Sequence, residues 1–148
     1  MRVLMVCVSA HNGSTLKVAK AIAEVIGAKL IKPSEVKHED LNEFDTIGFG
    51  SGIYDNTLHS SVIKVADSTQ TFEGKRVFVF STAGVLWQDA HAEIRAKLSA
   101  KNAEIAGEFR CKGFNTNSFL KYIGGMNKGR PNADDIAQAK SFASGLMN

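Results

Sequence analysis

The chain opens on an unbroken apolar run within Arg2–Ser9, rich in valine, which predicts a strand covered on both faces. The pattern then changes. From Ser14 to Ile26 the apolar residues Leu16, Ala19, Ile22, Ala23 and Ile26 recur at helical spacing, with Lys17, Lys20 and Glu24 on the opposite face. Gly27 follows where a helix C-terminus favours glycine. The same alternation continues along the chain. Ala28–Ile31, Asp45–Ile53, Arg76–Ser81 and Ala103–Cys111 read as strands, and Leu58–Asp67 and Asp89–Ala100 as helices. Asn132 is placed to cap a last helix that carries Asp134 and Asp135 in its first turn and buries Ile136, Ala139, Ala143 and Leu146. Only Lys32–Phe44 is weak as a helix, being polar with few apolar positions. Five strands alternating with helices predict an α/β three-layer sandwich, with a parallel sheet between two helical layers and right-handed crossovers.

Composition narrows this picture only a little. A chain of 148 residues suits a single domain spanning 1–148. With 44% hydrophobic and 22% charged residues, disorder and a disulfide scaffold are excluded. The net charge of +3 gives no reason to expect nucleic acid. No apolar run is long enough to span a bilayer, so membrane insertion is not expected. The opening run mimics a short signal core, but no small-residue cleavage site follows it; a cytoplasmic protein is expected. Cys7 reads as core packing, and no disulfide to Cys111 is expected.

In an open parallel sheet, ligands bind at the carboxyl ends of the strands. The loop after the first strand reads Ser9-Ala-His-Asn-Gly-Ser-Thr15 and runs directly into a helix. Hydroxyls of Ser9, Ser14 and Thr15, together with free N–H groups at the helix start, can enclose a phosphate, and Gly13 lets the backbone approach it. An ordinary helix cap would need one hydroxyl, not three. Several alternatives fail on residue type. There is no lysine beside Gly13 for a P-loop, and two of the three glycines of a dinucleotide fingerprint are missing. A low-molecular-weight phosphatase would need arginine where Gly13 stands. A phospho-receiver would need an aspartate near Ser51.

The loop segments together resemble the flavodoxin family. Ser9-Ala-His-Asn-Gly-Ser-Thr15 is similar to its phosphate loop, Gly48-Phe-Gly-Ser-Gly-Ile-Tyr-Asp-Asn56 to its second flavin loop, and Phe80-Ser-Thr-Ala-Gly84 to its third. Cys111-Lys-Gly-Phe114 and Gly129-Arg-Pro-Asn132 are similar to segments of its short-chain members. The resemblance implies FMN as cofactor and the strand order 2-1-3-4-5 that is well known for flavodoxin itself, with FMN at the switch between the first and third strands. It assigns the cofactor contacts to Ser9, His11, Asn12, Gly13, Ser14 and Thr15 in the first loop. In the second they are Ser51, Gly52, Ile53, Tyr54, Asp55 and Asn56. In the third they are Thr82, Ala83, Gly84 and Trp87. Tyr54 and Trp87 are the aromatic candidates to flank the ring, Trp87 also reading as a partly buried helix-start residue. Asp55-Asn56 stand where the family usually has glycine; both tolerate positive φ, so the turn there stays available. His59 reads as a solvated helix-start residue, with a proton donor at the flavin edge as the functional alternative.

The charge distribution departs from the family, whose members are typically acidic. From Phe109 to Ala133 there are five basic residues (Arg110, Lys112, Lys121, Lys128, Arg130) and no acidic one. This segment reads either as a solvated loop or as a dock for an acidic partner or an anionic substrate. The leading expectation is a monomeric electron carrier that shuttles low-potential electrons between a reductase and an acceptor. The alternative is an FMN oxidoreductase of the quinone-reductase or menaquinone-linked protoporphyrinogen oxidase type. Gly50, Ile53 and His59 match three of the four positions of a loop-two pattern in that oxidase group, and Asn56 replaces its second glycine. For a regulatory module no residue argues positively.

Overall fold

The computed structural model describes residues 1–9, 13–86, 88–113 and 129–148. His11, Asn12 and Trp87 lie outside the described residues, as do Phe114, Phe119, Tyr122, Ile123, Lys121 and Lys128 of the basic segment. The elements in chain order are β1 (Val3–Val8), α1 (Ser14–Ile26), β2 (Lys29–Ile31), β3 (Thr46–Tyr54), β4 (Thr57–Leu58), α2 (Ser60–Ser68), β5 (Arg76–Ala83), α3 (Ala92–Ala100), β6 (Glu104–Lys112) and α4 (Ala133–Leu146). Five strands pair in parallel in the order β2-β1-β3-β5-β6, and β4 folds back antiparallel on the end of β3. The five main strands therefore stand in the expected 2-1-3-4-5 order, with one small strand added.

Alternating side chains divide the core in two. Leu4, Val6, Ile47, Phe49, Val77 and Val79 pack under α2 and α3, against Val62, Ile63, Ile94 and Leu98. Met5, Cys7, Phe78 and Phe80 face α1 and α4, against Val18, Ile22, Ala139 and Ala143. The alternate glycines of β3 are needed on this second side: a Cβ on Gly48 or Gly50 would overlap the ring of Phe78 or Phe80. Gly48–Tyr54 is thus strand, and the second loop proper is only the tight turn that follows it.

In place of a helix, Lys32–Phe44 holds two short 3-10 segments, Pro33–His38 and Leu41–Glu43. Helix α4 begins as expected, with Asn132 and Asp135 exchanging side-chain to backbone hydrogen bonds at 2.9 and 2.8 Å. Cys7 and Cys111 are both free and buried, and burial pushes both thiols up to about 12.

Candidate functional site

Register brings three strand ends together. Val8 pairs with Ser51, Gly52 with Thr82, and Thr82 with Cys111, so the loops after β1, β3 and β5 leave the sheet along one edge. At the first of these, α1 starts without a side-chain cap on Gly13 and without an acidic residue in its first turn. Gly13 holds a left-handed φ of 70°, and a side chain there would point into open space. Ser9 reaches over this turn, its Oγ accepting from Leu16 N at 3.1 Å. A helix N-terminus with hydroxyls around it and no carboxylate to neutralise its dipole favours an anion.

Thr15 and Thr82 join the first and third loops. Their hydroxyls lie 2.7 Å apart and both residues are buried. Gly113, just past β6, completes this corner: its N–H donates to Ala83 O at 3.0 Å, and a Cβ on it would press on Ser14 and Thr82 at 3.0 to 3.1 Å. Its place at the site was not evident from the sequence, although it falls within the Cys111–Phe114 segment singled out there.

The second loop is a two-residue hairpin. Asp55 and Asn56 both adopt positive φ, 50° and 64°, and Tyr54 pairs with Thr57 across them. The tolerance of these residue types for positive φ is legible in the sequence; the hairpin is not, because Leu58 reads as the first residue of a helix, whereas it belongs to β4 and α2 begins at Ser60. Tyr54 is half-buried, and its ring lies over Gly52 and meets the His59 ring edge-on at 5.1 Å. Burial pushes its phenol up, so the hydroxyl stays protonated. Thr57 Oγ1 is buried without a hydrogen-bond partner, which leaves an unsatisfied polar atom beside the turn. Beside the hairpin, toward α2 and α3, opens a cavity of about 470 Å³ lined by Tyr54, Asp55, Thr57, His59, Ile63 and Lys64 among others.

Two serines at the same register close the loops. Ser51 is fully buried; its Oγ accepts from His59 N at 2.9 Å and donates to Gly52 O at 2.5 Å. Its hydroxyl is therefore engaged in closing the second loop. His59 is not a free surface residue: it is the N-cap of α2, its Nδ1 accepting from Ser61 N at 3.1 Å. Ser81, paired with Ser51 in register, meets the His91 ring at the far end of the third loop. Ile53 packs against the core on the α2 and α3 side, and Ala83 ends β5. Gly84 follows directly at the start of the third loop. Of the basic residues beyond β5, Arg110 donates to Gln88 O at 2.6 Å and Arg130 is paired with Asp135.

These features define an α/β protein with a hydroxyl-ringed helix start and two further loops gathered at the same end of the sheet. A family model described as a flavodoxin domain matches residues 5–116. The chain belongs to the flavodoxin family. It is 41% identical over 149 residues to an uncharacterized protein of Methanocaldococcus jannaschii, covering 99% of each chain. Its fold is similar to that of oxidised flavodoxin 2 from Bacillus cereus (TM-score 0.75, 18% identity, 99% and 98% of the two chains). It is also similar to a flavodoxin of Fusobacterium nucleatum solved with flavin mononucleotide bound (TM-score 0.67, 12% identity, 99% and 98%).

The described residues fit an FMN. The start of α1, ringed by hydroxyls and with no carboxylate in its first turn, suits its phosphate, and Tyr54 over Gly52 at the end of β3 suits an aromatic ring.

Proposed function

We propose that this protein binds FMN and serves as an electron carrier between a reductase and an acceptor in the cytoplasm. When bound, the flavin supplies one- and two-electron chemistry; the protein supplies its binding, orientation and electrostatics. Ser9, Gly13, Ser14 and Thr15 hold the phosphate at the start of α1. Thr82, Ala83 and Gly84 present the third loop, and the Tyr54–Asn56 hairpin covers the ring from the other side. His11, Asn12 and Trp87 belong to the same proposal from the sequence alone. The observation that supports a carrier over an enzyme is the family itself, a flavodoxin domain matched over residues 5–116. His59 Nδ1 accepts from Ser61 N as the helix cap, which leaves Nε2 as the nitrogen available to a substrate. Val85 on the third loop and Leu16 on α1 are exposed apolar residues beside the site, suited to brief contact with a partner. Arg130 is offset by Asp135, whereas Arg110 gives its hydrogen bond to a carbonyl and keeps its charge, so attraction of an acidic partner falls to Arg110, Lys112, Lys121 and Lys128.

One observation favours the second reading. The cavity beside Tyr54 has room for a small planar substrate, as a flavodoxin-like quinone oxidoreductase would need. Steady-state turnover separates the two. The purified FMN-loaded protein, given NAD(P)H and a soluble quinone without a reductase, is expected to turn over far below the ~10 per second of a typical enzyme. Sustained turnover at that rate would establish the oxidoreductase instead.

A further inference from the structure

Resting on the FMN reading, we infer that Ser81 and His91 form a buried latch that positions the third loop against the flavin, with Glu108 and Arg95 as its anchor. Ser81 Oγ lies 2.7 Å from His91 Nε2, and His91 Nδ1 lies 2.8 Å from Glu108 Oε1. Arg95 donates to both oxygens of Glu108, each at 2.8 Å, and its other two contacts grip Asp89 at 2.8 and 2.9 Å.

The proton positions follow from this geometry. A carboxylate gripped on both oxygens by a guanidinium is ionised and can only accept, so His91 Nδ1 is the donor to Glu108. Burial holds the imidazole neutral by lowering its affinity for a second proton, although Glu108 pulls the other way. Nε2 is then the acceptor, and Ser81 donates its O–H to it. The charged groups facing the ring are Glu108 and Arg110 from β6, Arg95 from α3, and Asp89 from the turn before it.

The serine–histidine–carboxylate order is that of a hydrolytic triad, but Ser81 and His91 are each only 1% exposed. No substrate reaches that hydroxyl, so the chain of bonds holds structure in place. What it holds is the third loop, at both ends. Ser81 immediately precedes Thr82, the partner of Thr15 at the phosphate corner, and His91 closes the loop where α3 begins. Arg110 fixes the Gln88 carbonyl between them. Ser51 closes the second loop at the matching register by taking a backbone N–H directly. The third loop uses an imidazole to do the same.

The test compares FMN dissociation constant, midpoint potential and Tm across wild type, Ser81→Ala, His91→Gln and, as a packing control on α3, Leu98→Ala. Leu98 is fully buried in the same layer, about two helical turns beyond His91 on α3. Ser81→Ala and His91→Gln are expected to weaken FMN binding about tenfold, the scale of one unpaired buried polar group, and to move the midpoint potential. Leu98→Ala is expected to lose at least as much Tm while keeping FMN affinity within about twofold, as a distant site should. Wild-type affinity and potential in both latch variants would overturn the inference, as would a control that weakens FMN in step with them. Should His91→Gln not fold, Ser81→Ala decides alone. Wild-type protein that fails to bind FMN would sink the cofactor reading itself.

Discussion

Thr15 Oγ1 and Thr82 Oγ1 face each other at 2.7 Å in a buried corner, and each is the other's partner across two loops. Thr15→Val keeps the shape of the side chain but leaves the Thr82 hydroxyl unpaired. Leaving one buried polar group unsatisfied costs about 1–3 kcal/mol. With the Thr15 hydroxyl also lost to the phosphate, FMN binding is expected to weaken by about 1–3 kcal/mol. Flavin fluorescence quenching would measure it, and an unchanged dissociation constant would remove Thr15 from the phosphate site. Neighbouring residues differ in how far the sequence revealed them. Ser9, Gly13 and Thr15 announce themselves by clustering before a helix. Ser51 gives no such signal of its local role: its hydroxyl closes a loop onto His59 eight residues on.

Among the elements, the strands and helices were readable because each carries a clean apolar period. The β3–β4 hairpin was not, since a two-residue strand has no period of its own. The polar stretch Lys32–Phe44 has too few apolar positions for a helix, and two short 3-10 segments stand there. Helix α3 starts at Ala92 and not at Asp89, because Gln88, Asp89 and His91 serve contacts to Arg110, Arg95 and Glu108. Those partners are far apart in sequence, and no local pattern signals them. The same cluster gives this layer a pH dependence. His91 has a folded pKa below its ordinary value, so the unfolded chain binds a proton first as pH falls. Stability is therefore lost as pH drops below about 6.5, toward the folded value. The Arg95 hydrogen bonds hold Glu108 below the carboxylate range and Asp89 at about 2, so a further loss follows at more acid pH. Asp89 is largely exposed and contributes little of it. Thermal melts of wild type from about pH 7 to about pH 5 are expected to show a falling Tm, flattened in His91→Gln. Parallel profiles for the two proteins would contradict the neutral buried imidazole.

For the whole molecule, the sheet order places the start of α1, the hairpin and the third loop along one edge, which is where we propose that the flavin binds. The strand order followed from the family resemblance, and the pairing registers show which residues meet there. Among the described residues no helix is long and apolar enough to cross a membrane. One FMN at this edge, passing electrons singly, is what an electron carrier requires. An anaerobic stepwise reduction of the FMN-loaded protein, followed by visible absorption, tests it most directly. One flavin per chain and two resolved steps are expected, with long-wavelength absorption of the one-electron-reduced flavin rising and then falling. A single concerted bleaching to the fully reduced form, or a protein that takes up no FMN, would contradict it.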